Sequence, residues 1–252
     1  MRCKDILAFI EEKFPKEAAL EWDNVGLLVG TKDKEVKRIY IALDLTDEVI
    51  QDAIEQKTDL IITHHPLIFS PLKKINDEDF IASRVLTLVK HDISYYAMHT
   101  NYDILRMGEL AANTLGLKQL EPFEESGIGV CGVLDAKVTL ATLCERVKTK
   151  FSLPAVKVFG DMKKEIAKIA ISPGSGKHMS EIAIAKNMDV LITAEIDHHE
   201  GIDAVARDVM IIDAGHYGLE QIFIDDMCEF IKELKLDVDV AVSPVSHPFQ
   251  IV

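Results

Sequence analysis

The sequence predicts an α/β protein built as two related α/β lobes with mainly parallel sheets. Three observations carry that prediction: an alternation of strand-like and helix-like segments, an ungapped internal correspondence between the two halves, and matching polar residues where the strand-like runs end.

The alternation is clearest between residues 38 and 65. "RIYIALD" (38–44) reads as a buried strand. "TDEVIQDAIEQK" (46–57) reads as a helix with Thr46 at its cap, and "DLIITHH" (59–65) as the next strand. A strand, helix and strand in that order form a βαβ unit and imply parallel pairing. "ISYYAMHTNYD" (93–103) repeats the strand-into-loop plan after the helix-like "DFIASRVLTLVKH". The N-terminal "MRCKDILAFIEEKF" sets Ile6, Leu7, Phe9, Ile10 and Phe14 among charged residues, which is the pattern of an amphipathic helix and not of a signal peptide.

Residues 38–65 lie over 168–195 without a gap, at an offset of 130. Ile39, Ile41, Ala53, Ile54, Asp59, Ile62 and Thr63 then meet Ile169, Ile171, Ala183, Ile184, Asp189, Ile192 and Thr193. The register pairs "DLIITHH" with "DVLITAE", strand end with strand end. It divides the chain into an N-terminal lobe, 1–125, and a C-terminal lobe, 126–252.

The third observation is chemical. His64 and His65 stand side by side where an apolar run stops. "HTNYD" gives His99 and Asp103, and "HYGLE" gives His216 and Glu220, each a histidine followed four residues later by a carboxylate at the end of a strand-like run. Open α/β sheets bind ligands beyond the carboxyl ends of their strands. Imidazole and carboxylate without cysteine suit zinc, iron, manganese or nickel. Neighbouring residues on a strand point to opposite faces, so His64 and His65 would do better holding one ion each. With Asp103, His216 and a bridging Glu220 they would make a two-ion centre with positions left for water. The residues by themselves leave open whether this is a metal site or a set of ordinary strand-end histidines.

Composition narrows the alternatives. The formal charge of −14, from 42 acidic against 28 basic residues and with no Lys/Arg cluster, makes nucleic acid an unlikely partner. No apolar run approaches the roughly 20 residues of a membrane helix. Cys3, Cys131, Cys144 and Cys228 are scattered, so neither a thiolate zinc knuckle nor a disulfide framework is indicated, and a soluble, cytoplasmic protein with free thiols is expected.

"EWDNVGLLVG" (21–30), "ITHHPLIF" (62–69), "HTNYD" (99–103), "ITAEIDHHEGIDA" (192–204) and "GHYGLE" (215–220) resemble, in this order, the motifs of the GTP cyclohydrolase I type 2 homologue family, also called the Nif-three-like family. The resemblance implies a two-lobed subunit with a dinuclear metal centre in the cleft between the lobes, assembled into a homohexameric ring. The family's ligand positions match His64, His65, Asp103, His216 and Glu220, with Glu220 as the bridge. His99 falls on a motif position as a substrate-facing or supporting residue. The implied activity is that of a metal-dependent hydrolase in which metal-activated water attacks a nucleotide-like substrate, with His99 and Glu195 as proton carriers. The alternative is a storage or delivery protein that handles metal without catalysis. Three departures stand out: "ILRMGEL" after Asp103 where many members have a Pro/Gly-rich stretch, Ala194 where glycine is common, and no room for the long insertion that many bacterial members carry.

The remaining segments have plainer readings. "SPGSGKH" (172–178) lacks the spacing of a phosphate-binding Walker loop and reads as a tight strand-to-helix turn. Glu195, His198 and His199 are cleft candidates. Trp22, Asp23 and Asn24 read as a turn with the indole packed, within reach of the cleft; Asp44 reads as a capping residue and is also a cleft candidate; Met98 and Met107 read as packing residues.

Overall fold

A computed structural model of the chain describes residues 1–251. The strands are β1 (Gly26–Val29), β2 (Arg38–Ala42), β3 (Leu60–Thr63), β4 (Ser94–Ala97), β5 (Lys118–Pro122), β6 (Val130–Thr139), β7 (Lys157–Phe159), β8 (Glu165–Ser175), β9 (Val190–Ala194), β10 (Met210–Asp213) and β11 (Asp239–Val242). The helices are α1 (Cys3–Lys13), α2 (Asp47–Glu55), α3 (Phe80–Lys90), α4 (Thr100–Tyr102), α5 (Gly108–Leu115), α6 (Leu140–Lys150), α7 (Met179–Ala185), α8 (His198–Ala206), α9 (His216–Glu220) and α10 (Ile222–Glu233). Among the described residues no helix is long and apolar enough to cross a membrane.

The first compact unit comprises residues 1–102 and 223–245. Its sheet runs in the order β1-β4-β3-β2-β11, parallel throughout except for β1, which pairs antiparallel with β4. The near-continuous apolar sequence of β2 and β3 follows from burial on both faces. Tyr40, Ala42, Ile61 and Tyr95 pack with Ile50 and Ala53 of α2 and Val85 and Leu88 of α3, while Ile39, Ile41, Leu60 and Ile62 are equally buried on the alternate positions. Thr46 caps α2 as expected, its hydroxyl accepting from the Val49 amide at 3.2 Å.

The second unit comprises, among the described residues, 103–222 and 246–251. Its sheet runs β5-β6-β8-β9-β10-β7. Here β8, β9 and β10 are parallel, but β5, β6 and β7 join antiparallel, so the expectation of mainly parallel sheets holds for the first unit and gives way to a mixed sheet in the second. The cause is the long β6, which meets β8 and β5 as antiparallel neighbours. Ile169, Ile171, Ile192 and Ile212 face α5 and α6 across one core, and Ala170, Leu191 and Ile211 face α7 and α8 across another.

The contacts group residues 1–102 with the first unit and 103–222 with the second. The chain returns to the first unit at Phe223, because β11 pairs in register with β2 (Val240 beside Ile39) and Phe230 of α10 meets Phe14 at 5.7 Å. The internal correspondence is structural as well as sequential. Asp59 Oδ2 accepts from the amides of Lys37 and Arg38 at 2.8 and 3.0 Å, and Asp189 Oδ2 accepts from those of Ala167 and Lys168 at 2.7 and 2.8 Å.

Candidate metal centre

In the first unit, β3 ends at Thr63, one residue short of the histidine pair, and the strand alternation ends with it. The Thr63 hydroxyl donates to the His65 carbonyl at 2.8 Å, and the buried Tyr95 hydroxyl donates to the same oxygen at 3.0 Å. That bends the backbone back on itself ahead of Pro66. The two imidazoles therefore do not point to opposite faces: their centroids are 4.8 Å apart. His99, just past β4, lies 5.2 Å from His64 and 5.6 Å from His65. One ring nitrogen from each of the three falls within 4.8 Å of the others, a spacing that could hold a metal ion. His64 is fully buried, against Phe223 at 5.3 Å.

Carboxylates fix two of these rings. Asp44 Oδ1 lies 2.8 Å from His65 Nδ1, and Asp23 Oδ1 lies 3.0 Å from His99 Nδ1. A carboxylate on one ring nitrogen sets the tautomer and directs the other, Nε2, to a ligand. Asp23 also accepts from the amide and the hydroxyl of Thr100, at 2.9 and 2.6 Å. Burial alone would raise the Asp23 carboxyl, but the bonds from His99 and Thr100 outweigh it and hold the group well below the usual carboxylate range. Asp23 thus stays ionised and accepts the His99 Nδ1 proton.

In the second unit, Gly215, at φ +76°, leads into α9, and the helical i,i+4 spacing brings His216 Nε2 to 3.1 Å from Glu220 Oε2. His216 Nδ1 lies 3.1 Å from Glu195 Oε2. Glu195 itself has a left-handed backbone, φ +56°, at the end of β9. The Asp213 carboxylate anchors that turn, accepting from the amides of Glu195, Ile196 and Gly215 at 3.1–3.3 Å and pairing with Lys157 at 2.7 Å. Gly174, at φ +80°, lets Glu220 approach the end of β8: a Cβ there would sit 2.9 Å from Glu220 Oε1. Asp103 opens a π-helical turn, Asp103–Met107, ahead of α5, the kind of helical irregularity that is frequent at functional sites.

Of the residues singled out from sequence, His64, His65 and His99 form one cluster, and Glu195, His216 and Glu220 form another. His198 and His199 are exposed at the start of α8. Trp22 is 62% exposed, not packed, its ring steeply inclined to that of His99 at 5.9 Å between centroids. Asp44 holds His65, a role beyond the expected cap. "SPGSGKH" is a tight turn between β8 and α7, tied by the Gly176 amide to the Ala194 carbonyl at 2.7 Å. The adjoining cavity of about 530 Å³ is lined more by Glu181, Asp197, Glu200 and Asp203 than by Lys177 and Arg207, which argues against phosphate. A second cavity of about 530 Å³, largely apolar, adjoins Glu195 and His216.

Comparison with known proteins gives the family. The family described as Duf34/NIF3 (NGG1p interacting factor 3) matches residues 1–248. The chain belongs to the Duf34/NIF3 family. A Clostridium acetobutylicum protein named GTP cyclohydrolase 1 type 2 homolog is 34% identical over 229 residues, covering 87% of this chain and 85% of its own. A Streptococcus pneumoniae protein of the same name is 34% identical over 269 residues, covering 99% of each. The crystal structure of a Staphylococcus aureus hypothetical protein superposes with a TM-score of 0.89 at 29% identity, covering 100% of this chain and 99% of that one.

Proposed function

We propose that this Duf34/NIF3 protein is a dinuclear-metal-dependent hydrolase acting on a nucleotide-like substrate, with His64, His65, Asp103, His216 and Glu220 as the ligands of two divalent ions and Glu220 as the bridge. The observation that carries the proposal is a repeated pairing. His65, His99 and His216 each have Nδ1 within 3.1 Å of a carboxylate oxygen, from Asp44, Asp23 and Glu195 in turn. For the proposed ligands His65 and His216 this is the supporting arrangement that metal-binding imidazoles use, His99 is oriented beside them in the same way, and the donor set of nitrogen and oxygen without sulfur fits zinc, iron, manganese or nickel.

Ions held by these ligands would supply Lewis acidity and a lowered water pKa. The protein's own groups supply the rest. His99, with Nδ1–H held by ionised Asp23, offers Nε2 as a proton acceptor. Glu195 is 58% exposed, so its carboxylate reaches solvent while still touching His216, which is the placement a proton carrier needs. The name that the relatives carry, GTP cyclohydrolase 1 type 2 homolog, supports a nucleotide-like substrate.

The test is elemental analysis of protein purified without added metal or chelator, beside His65→Ala, followed by a GTP turnover assay on the loaded protein. About two ions per chain, falling to about one in the variant, with GTP ring opening, is the expected result. Full metal with no turnover and rapid transfer to an apo-acceptor would replace the hydrolase with a storage or delivery protein. No metal after reconstitution would remove the centre altogether. Sedimentation of the same samples tests the homohexameric ring that the family resemblance implies.

A further inference from the structure

The proposed centre accounts for the histidines but not for the two aromatic side chains beside them. Trp22 and Phe69 are 62% and 51% exposed, among the largest apolar surfaces that the first unit leaves in solvent. Both rings stand steeply to the same imidazole: the Trp22 ring centroid is 5.9 Å and the Phe69 centroid 5.7 Å from that of His99, at interplanar angles of 76° and 87°.

Their exposure is built into the loops that carry them. The residue after Trp22 is Asp23, whose carboxylate binds the His99 ring and both polar groups of Thr100. The Leu20 amide donates to the Thr100 hydroxyl at 2.9 Å, closing the other side of the turn. Asn24 then reaches the residue before Phe69, donating from Nδ2 to the Ile68 carbonyl at 2.5 Å. The 20–24 turn and the 66–69 segment are stitched to each other and to His99 by their polar groups, and the two large rings are held out as the part with no task inside the unit. Exposed apolar surface held in place by a polar frame marks a contact site.

Charge indicates what the rings contact. The protein's own groups, a net charge of −14 and the Asp23 carboxylate on His99, give a phosphate no attraction, so the pull on phosphate is left to the ions of the proposed centre. The neutral, planar part of a phosphorylated ligand is left to the aromatic side chains. Aromatic faces supply affinity for any base, because every base presents a π-face.

We propose that Trp22 and Phe69 are the stacking surfaces for the planar heterocyclic ring of the ligand, placing that ring beside His99. The inference rests on the reading of the histidine cluster as part of a nucleotide-hydrolysing metal centre, and it adds to that reading the residues that select for a ring. A ligand lacking the ring leaves Trp22 and Phe69 uncovered whatever its phosphates, and one that keeps the ring without phosphates still covers them.

Trp22 is the only tryptophan in the chain, so its emission reports the site directly. The metal-loaded protein is titrated with GTP, guanosine, ribose 5-phosphate and inorganic phosphate, following tryptophan fluorescence, its protection from acrylamide and the heat of binding. Wild type is compared with Trp22→Ala, Trp22→Phe and Phe69→Ala, each checked for metal content and thermal midpoint. GTP and guanosine should change the emission saturably and shield Trp22 from acrylamide, and ribose 5-phosphate and phosphate should do neither. The alanine variants should weaken GTP binding about 5- to 150-fold with metal content unchanged, and Trp22→Phe should retain most of the affinity. GTP heat with no change at Trp22 and equal affinity in the alanine variants would overturn the proposal and leave the metal centre standing. So would full metal with no nucleotide binding, or a tryptophan shielded before any ligand is added and released on dilution, which would assign the rings to self-association. Ring-dependent shielding in a protein that takes up no metal would instead support the stacking surfaces and remove the metal centre.

Discussion

Asp44 offers a direct separation of metal binding from folding. Its Oδ1 lies 2.8 Å from His65 Nδ1, and its side chain is 46% exposed. In the apo protein this is a hydrogen bond at the surface. Its loss in Asp44→Ala should cost no more than about 1 kcal/mol, which for a chain of this size moves the thermal midpoint by less than about 4 °C. In the metal-loaded protein the same carboxylate sets the His65 tautomer and raises its basicity. Removing such a support lowers metal affinity about 10- to 100-fold, equivalent to about 1.4–2.7 kcal/mol. Asp44→Asn keeps an acceptor without its charge and should fall between. Competition against a chromophoric chelator gives the affinities, and melts of the chelator-stripped protein give the folding cost. Affinity equal to wild type within twofold would refute the role assigned to Asp44, and so would an apo midpoint lowered by 10 °C, because the loss would then be structural.

Asp23 should act in the opposite sense, through stability. Its carboxyl is held below the usual range in the folded state, so the stabilisation is complete above the unfolded value near 3.9 and is lost as pH falls below it. Asp23→Asn should cost about 2–3 kcal/mol at pH 7, with the difference shrinking toward pH 2, as urea melts of the apo protein across that range will show. Gly174→Ala should pay both a left-handed backbone and a 2.9 Å contact with Glu220 Oε1, losing metal as well as about 1–2 kcal/mol. Gly116→Ala, at φ +76° with nothing within 4 Å, is the control that pays for the backbone alone. All four cysteines are free and buried, and burial pushes the Cys3, Cys131 and Cys144 thiols up, so a thiol reagent should label slowly in the native protein and reach four per chain in denaturant.

The βαβ stretch from Arg38 to Thr63 was legible because both strands are apolar throughout and Thr46 marks the helix start between them. The histidines past β3 and the i,i+4 pair of α9 were legible because polar residues at the end of buried strands have few structural uses. The geometry of the histidine pair was not, because it depends on Tyr95, thirty residues away, turning the His65 carbonyl. Nor was the task of Asp44 or the exposure of Trp22. A carboxylate after a strand and an indole after a helix each have an ordinary local explanation, and only the tertiary partners, His65 and His99, decide otherwise. The return of β11 to the first sheet leaves no trace in local periodicity, since an edge strand of four residues looks the same beside any neighbour.

The internal correspondence bears on how such a centre is assembled. In each unit a strand, a helix and a strand lead to that unit's candidate residues, and in each an aspartate just before the second strand, Asp59 or Asp189, ties down the start of the first strand with its carboxylate. The two frames end at equivalent positions, 65 and 195, with different chemistry. Position 65 is an imidazole held by a carboxylate, Asp44, and position 195 is a carboxylate holding an imidazole, His216. One frame thus delivers its histidine from the strand itself, and the other delivers the support while the histidine comes from the next element, α9. A single architecture used twice in this way yields a nitrogen-rich set in one unit and an oxygen-rich set in the other.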